Sequence, residues 1–198
     1  MDSHAAPPSC TLEPADPVTT VTGRRIARPV PAPDQWHIED FAHGLATLNR
    51  YGGQTIVPWS VAQHSLLCLQ ALRLLHADAT PTLQRAVLLH DAGETAIGEI
   101  PAPVKRVCSD LCRLDEAIDQ SLSEAFDLPW RCPPVIKEID LLVRGTEGPV
   151  LFPKSDPAAW AARYGAPLPL SVVERPWRDV REEFLTAYAG IPSESPPS

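Results

Sequence analysis

A histidine and an aspartate stand side by side in the segment from Leu88 to Glu94, which reads LLHDAGE. The pair follows a run of good helix formers opened by Thr82, so His90 and Asp91 are expected near the inner end of a buried helix. Together they offer one imidazole nitrogen and one carboxylate oxygen to the same point in space, which suits metal binding. The alternative is a structural role, with His90 packed in the core and Asp91 capping a helix. Residues elsewhere in the chain distinguish these two interpretations.

Two further polar residues are predicted to face the same interior. Ser60 and Gln63 have the spacing of a helix capping box, which places His64 in the first turns of a helix on an inward, apolar face. Asp140 is an acid in the apolar setting of another predicted helix. The sequence thus predicts four inward-facing ligands on three helices, namely His64, His90, Asp91 and Asp140. Such a donor set suits a divalent cation such as Co, Mn, Fe, Ni or Zn and leaves the choice among them open.

The order of these ligands, H…HD…D, resembles that of the HD superfamily of metal-dependent phosphohydrolases. The segments TGRRI, IEDFAHGLATLNRYGGQT, SVAQHS, LLHDAGETAIGEIPAPVKR and KEIDLLVRGTE are similar to successive blocks of its small single-domain branch. That branch contains bacterial 5′-deoxynucleotidases and phage deoxynucleoside triphosphohydrolases. The blocks span about Thr22 to Glu147, and their combination is specific although each block alone is weak. The resemblance implies an all-α fold, a single HD-domain helical bundle with the metal site in its centre.

The remaining chain fits one helical domain at residues 18–190. Its 198 residues, 44% of them hydrophobic, are enough for one substantial core. A short hairpin is expected between Val18 and Val30, and the proline-rich ends at 1–17 and 191–198 are expected to be flexible tails. Periodicity and capping residues predict helices that begin near Asp40, Ser60, Thr82, Ser109, Pro133, Asp156 and Pro176, with ends predicted at Leu48, Phe126, Val143 and Ala189 for four of them.

Composition restricts the partners of the protein. A formal net charge of −8 disfavours binding to a nucleic acid polymer and leaves a small-molecule nucleotide as the expected partner. No apolar run has the length of a membrane span or the pattern of a signal peptide, so no membrane association and a cytoplasmic location are expected. A homo-oligomer is one of the states that the sequence allows. The odd set of cysteines is interpreted as reduced thiols: Cys10, Cys68, Cys108, Cys112 and Cys132.

Glu94 is the predicted general acid or base. It stands three residues after Asp91 and four after His90, so a helix continuing through this segment would bring its carboxylate beside the ligands. The resemblance supports the role, because the deoxynucleotidase branch carries a glutamate at this place. A charge at a helix end, or a group in contact with the ligands, is the alternative.

Arg50 and Lys105 are predicted to act in catalysis and in phosphate binding. Lys105 follows a proline-rich turn and could bring its charge onto a phosphate, while Arg50 offers a bidentate fork. Both match phosphate-binding positions of the family. Tyr51 matches an aromatic position near the sugar and base, and Pro103 is predicted to line the base pocket. The alternatives are surface positions for Arg50 and Lys105 and plain core packing for Tyr51.

The leading functional hypothesis is a 5′-deoxynucleotidase, which converts a dNMP to deoxynucleoside and phosphate. A phage-type dNTP (dATP) triphosphohydrolase, releasing triphosphate, is the alternative, and Arg24 and Arg25 would supply the extra charge if they reach the phosphates. A catalytically silent nucleotide-binding HD domain is expected to lack a ligand or the acid, whereas this chain retains all of them. A cyclic dinucleotide phosphodiesterase is disfavoured because no extra histidines accompany the site.

Overall fold

The computed structural model describes residues 15–129 and 132–193, which form a helical bundle with one small hairpin. The prediction of a mainly α-helical chain with a short N-terminal hairpin is confirmed. The strands are β1 (Ala15–Thr19) and β2 (Arg25–Arg28). The helices are α1 (Ile38–Thr47), α2 (Val61–Leu75), α3 (Pro81–Leu88), α4 (Glu94–Ile97), α5 (Ala102–Lys105), α6 (Ser109–Phe126), α7 (Pro134–Leu151), α8 (Pro157–Tyr164) and α9 (Trp177–Ala189).

The hairpin pairs β1 with β2 in antiparallel register, with Val18 opposite Ile26. Strand β1 begins at Ala15, within the segment 1–17 that the sequence predicts as a tail. At the other end Ile191 is buried, inside the tail predicted at 191–198. The remaining parts of both predicted tails, 1–14 and 194–198, lie outside the described residues.

Helix α2 lies at the centre of the bundle. Every residue from Val61 to Leu69 is buried, so this part of the helix is enclosed on all sides, and α2 packs against α1, α3, α7 and α9. One apolar cluster joins α2 to α1, α6 and α9 around Phe41 and Phe184, and a second joins it to α3 and α7 around Trp59 and Ile139. A polar residue on α2 therefore lies between two apolar layers, where it needs a partner.

His90 and Asp91, predicted near the inner end of a buried helix, lie just beyond the end of α3. Helix α3 ends at Leu88, and a turn follows before α4 begins at Glu94. Gly93 lets this turn lie close to α6, since a Cβ there would be 2.9 Å from Ile118. The close approach of this turn to α6 therefore decides where the ligand pair sits.

Helix α7 continues eight residues beyond its predicted end at Val143, to Leu151. The extension packs tightly on α8, because a Cβ on Gly148 would lie 2.2 Å from the ring of Trp160. A Cβ on Gly145 would lie 2.8 Å from Tyr164. Two glycines that discourage a helix in isolation are thus required by the contact between α7 and α8.

Among the described residues, no helix is both long enough and apolar enough to cross a membrane.

Candidate metal centre

His64 and His90 face each other across the middle of the bundle, with their ring centroids 5.3 Å apart. The predicted capping box starts α2, since Ser60 Oγ accepts a hydrogen bond from the backbone N–H of Gln63 at 3.2 Å. This start places His64, which is fully buried, one turn into the helix. His90 approaches from the turn after α3, and its side chain is 8% exposed.

Both imidazoles are oriented through Nδ1. The Nδ1 of His90 lies 2.8 Å from the carbonyl oxygen of Val87, which can only accept, so Nδ1 carries the proton. The Nδ1 of His64 lies 2.8 Å from the carboxylate of Glu147. Within the described part of the chain, Nε2 of His90 is buried without a hydrogen-bond partner. An Nδ1–H held by an oxygen, with Nε2 free, is the usual arrangement of a metal-ligating histidine.

Each of the two predicted carboxylate ligands lies close to a histidine of the centre. Oδ2 of Asp91 is 3.3 Å from Nε2 of His90 and 3.9 Å from Nε2 of His64, and Oδ1 of Asp140 is 3.3 Å from the latter atom. Two donor atoms bound about 2.1 Å from a shared cation are separated by about 3 to 4 Å. The three distances are within this range, so the two donors of each of these pairs are close enough to share a cation.

The carboxylates beside His90 favour the protonated, positively charged form of its imidazole. Burial lowers the pKa of His90, but the carboxylates of Asp91 and Asp140 raise it more, to about 9. Burial opposes ionisation of the two acids, yet the neighbouring imidazoles hold the pKa of each carboxyl well below its usual range. Without a metal, a proton supplies the charge, and a cation would replace it.

Cys68 adds a sulfur donor to the centre. Its Sγ lies 3.4 Å from Nε2 of His64, one turn along α2, and the donor atoms of His64, Cys68 and His90 lie within 4.8 Å of one another. This group could hold a metal ion. The sequence placed Cys68 on the same helix face as His64 but indicated only an ordinary thiol. The thiol is buried, and burial raises its pKa.

Glu147 is the main polar residue of the centre to which the sequence assigned no role. It is fully buried on α7 and accepts hydrogen bonds from Trp59 Nε1 at 2.9 Å and from the Tyr51 hydroxyl at 3.1 Å, besides its contact with His64. Burial opposes its ionisation, but His64 and Arg50 hold the pKa of the Glu147 carboxyl below its usual value. A spacing of seven residues from Asp140 was the available signal, since it puts both acids on one helix face.

Asp140 is held by two cations from its own helix. Nζ of Lys137 lies 2.6 Å from Oδ2, and Nη2 of Arg144 lies 3.1 Å from Oδ1. These contacts, at positions i−3 and i+4, keep the carboxylate turned toward His64. The sequence contained both cations, but their importance depends on the burial of Asp140, which is 5% exposed.

Arg50 lies within the centre, and Tyr51 lies beside it. Nη1 of Arg50 is 3.0 Å from Asp91, and its Nε is 3.8 Å from Glu147, so the buried guanidinium is committed to carboxylates in this structure. Tyr51 packs edge-on against Phe152, and its backbone N–H donates to the carboxylate of Glu99 at 3.2 Å. Glu99 is thus a second acid at the edge of the site that the sequence did not single out.

Glu94 opens α4 beside the centre, and Oε2 of its carboxylate is buried without a hydrogen-bond partner among the described residues. Burial and the charge of Asp91 raise the pKa of Glu94 to about 8. Lys105 lies farther out on α5, where Nζ is 3.0 Å from Asp115, and its neighbour Pro103 is exposed. The structure thus brings together the predicted ligands with Arg50 and places Glu94 beside them, while Lys105 is paired with an acid of α6.

No family model matches the chain. Two curated relatives are each 36% identical to it: uncharacterized protein RCAP_rcc00048 of Rhodobacter capsulatus over 120 residues, and uncharacterized protein YfdR of Escherichia coli over 110 residues. The alignments cover 59% and 56% of this chain. They cover 61% and 58% of the relatives, so the chain spans about three fifths of the length of the curated relatives it matches. Neither name states an activity.

Proposed function

We propose that this chain is a metal-dependent phosphohydrolase of the HD type that cleaves deoxynucleoside 5′-phosphates to deoxynucleoside and phosphate. One observation carries the proposal. The residues of the H…HD…D order come from three separate parts of the chain, yet His64 lies 3.9 Å from Asp91 and 3.3 Å from Asp140, and His90 lies 3.3 Å from Asp91. Nε2 of His90 is buried there without a hydrogen-bond partner among the described residues.

His64, His90, Asp91 and Asp140 would hold the divalent cation, with Cys68 close enough to add a softer donor. When bound, such a cation polarises a phosphate oxygen and makes a water molecule more acidic. The protein keeps its ligands in place through groups that do not touch the cation. Glu147 and Val87 fix the two imidazoles, and Lys137 and Arg144 fix Asp140.

Glu94 is the group in this set that is suited to move a proton. Its pKa of about 8 means that it holds a proton at neutral pH, because burial and the charge of Asp91 disfavour its anion. A protonated carboxyl beside the reacting phosphate can donate that proton to the leaving oxygen of the deoxyribose, and its anion can then accept one from water. Its Oε2 is committed to no other described residue, which leaves it available for this transfer.

Arg50 and Lys105 each supply a positive charge, Arg50 within the metal centre and Lys105 farther from it. Arg50 is buried against Asp91 and Glu147, where it would orient the ligand carboxylate and lend its charge to a bound phosphate. Lys105 is 21% exposed and tied to Asp115. In the proposed reaction Lys105 leaves this ion pair and contacts the phosphate.

Release of triphosphate from a dNTP is the second candidate. One observation favours it: Arg28 donates to the backbone oxygen of Thr95 in α4, and Nη1 of the same guanidinium is buried without a hydrogen-bond partner in the described ranges. A further phosphate would satisfy it. Arg24, by contrast, is bonded to Thr22 of the hairpin turn.

The deciding experiment incubates the metal-loaded protein with each dNMP, NMP and dNTP and identifies the product. We expect phosphate from dNMPs and little from NMPs. Triphosphate from dNTPs would establish the second candidate. Nucleotide binding without any product, at full metal occupancy, would contradict both and leave a silent binding domain. His90→Ala, which lacks one ligand, is the inactive reference, and Glu138→Ala, an exposed change on α7, is the matched control.

A further inference from the structure

A cavity of about 410 Å³ opens between the end of α3, the middle of α6 and the beginning of α7. Most of its lining is apolar, including Leu89, Leu122 and Ile136, and His90 forms part of the same lining. This volume is in the range of small-molecule sites. Because His90 also belongs to the metal centre, a ligand in the cavity lies against the candidate catalytic centre.

Two carboxylates that line this cavity, those of Glu116 and Asp119, have no partner among the described residues. Asp119 on α6 lines it and makes no hydrogen bond or ion pair with another described residue, whereas the neighbouring Asp115 is engaged by Lys105 through both oxygens. Burial and the charge of Asp115 raise the pKa of Asp119 to about 6, so at neutral pH it is mostly ionised. Asp119 is exposed at the cavity, so its carboxylate oxygens are open to a donor that enters.

We propose that this cavity binds the nucleobase of the substrate and favours a base with an exocyclic amino group, whose N–H donates to the carboxylate of Asp119. The apolar lining would contact the faces of the ring, as in other sites for flat heterocycles. Carboxylates read base amino groups in this way in nucleic-acid recognition, where Asp and Glu accept from cytosine N4. Thymine lacks an amino group and fits this acceptor less well.

This inference rests on the proposed function and adds a binding site for the base to it. The site differs from the one that the sequence indicated, which was near Tyr51 and Pro103. Neither Tyr51 nor Pro103 lines the cavity. Tyr51 is held by Glu147 and Phe152 on another side of the centre, and Pro103 is exposed on α5. The base would therefore be read by α6, a helix that the sequence assigned to core packing.

The test compares two ligands that differ only in the amino group, 2′-deoxyadenosine and purine 2′-deoxyriboside, by calorimetric titration of the metal-loaded protein. A site built around one donor rejects the analogue that lacks it. We expect deoxyadenosine to bind at least about tenfold more tightly, and Asp119→Asn to remove most of that difference. Asp127→Asn, a change of an exposed acid just after α6, should leave the difference intact.

Cysteine labelling tests where the nucleoside binds, and it requires neither turnover nor a variant of the protein. Cys112 is exposed and lines the cavity, whereas Cys108, one turn earlier, is only partly exposed and does not line it. Deoxyadenosine should slow alkylation of Cys112 severalfold and leave Cys108 unchanged. Chymotryptic cleavage after Leu111 separates the two cysteines for mass spectrometry.

Equal affinity for the two nucleosides, or an unchanged rate at Cys112 at saturating deoxyadenosine, would overturn the inference while leaving phosphohydrolase activity untouched. Conversely, amino-dependent binding and protection of Cys112 in a protein that hydrolyses no nucleotide would support the base site and contradict the proposed function. The two failures are therefore distinguishable.

Discussion

The carboxylate of Glu147 accepts a 2.8 Å hydrogen bond from Nδ1 of His64, although 83 residues separate the two in the chain. The bond fixes the imidazole with its proton on Nδ1, so the lone pair of Nε2 faces His90, Asp91 and Asp140. Glu147 itself is fully buried and held by Trp59. The orientation of the first ligand is therefore set by an acid at the far end of α7.

Replacement of Glu147 by glutamine should weaken metal binding without abolishing it. The amide keeps the size and an accepting oxygen but loses the negative charge beside Nδ1 of His64, and such changes typically cost about 10- to 100-fold in metal affinity. Competition with a chromophoric chelator measures the dissociation constant. Glu138→Gln, an exposed change on the same helix, is the control. An unchanged affinity in Glu147→Gln would show that the hydrogen bond does not tune the ligand.

Removal of a ligand itself should have a larger effect. Asp140→Ala deletes a carboxylate 3.3 Å from Nε2 of His64 and leaves Lys137 and Arg144 without their acceptor. We expect metal content to fall from about one per chain to near zero, with loss of activity, because a site missing one ligand loses affinity. Elemental analysis of the purified protein checks this, and circular dichroism verifies that the helices persist. Full occupancy in this variant would remove Asp140 from the ligand set.

Glu94→Gln should separate chemistry from binding. The amide cannot pass a proton to the leaving oxygen, and proton transfer by a positioned side chain is worth about 10²- to 10⁴-fold in rate. We expect kcat to fall by about that factor, while metal content and nucleotide affinity stay near wild type. All three are measured on one preparation. Loss of metal would make Glu94 a ligand or an orienting group, and full activity would make it a helix-end charge.

The raised pKa of Glu94 also predicts a pH-dependent stability of the metal-free protein. Burial and Asp91 raise this pKa from 4.5 to about 8, so between these values the folded chain keeps a proton that the unfolded chain loses. Relative to Glu94→Gln, the free energy of unfolding of the wild type should be highest below about pH 4.5 and decline toward pH 8, by at most about 1.4 kcal/mol per pH unit. Urea unfolding of both proteins between pH 5 and about 9 measures the difference. A difference that does not vary with pH would place the Glu94 pKa near its ordinary value.

Lys105→Ala tests whether this side chain leaves Asp115 to reach the phosphate. If it contacts the reacting group, its loss should cost about 2–4 kcal/mol of transition-state stabilisation, seen as a fall in kcat/KM. Lys154, an exposed lysine after α7, supplies the control variant Lys154→Ala. A change in kcat/KM of less than about twofold would assign Lys105 to its ion pair with Asp115 alone.

Local patterns in the sequence were sufficient where the determining contacts are short in range. The capping box of Ser60 and Gln63 predicted the start of α2, and the apolar stripe of α6 predicted both its ends, Ser109 and Phe126. The inward direction of His64 followed from the same periodicity. Each of these features depends on residues within one or two helical turns, so the local sequence was enough to predict it.

Tertiary contacts decided the rest. The turn after α3, which ends at Leu88, lies close to α6 at Gly93, and α7, which continues to Leu151, packs on α8 at Gly145 and Gly148. The pairings of Glu147 with His64, of Arg50 with Asp91 and of Lys105 with Asp115 likewise join different parts of the chain. The sequence indicated side chains that could bind a cation. Most of their partners and distances depend on which helices meet, because a buried charge needs a partner and, apart from the contacts of Asp140 with Lys137 and Arg144, that partner comes from another element.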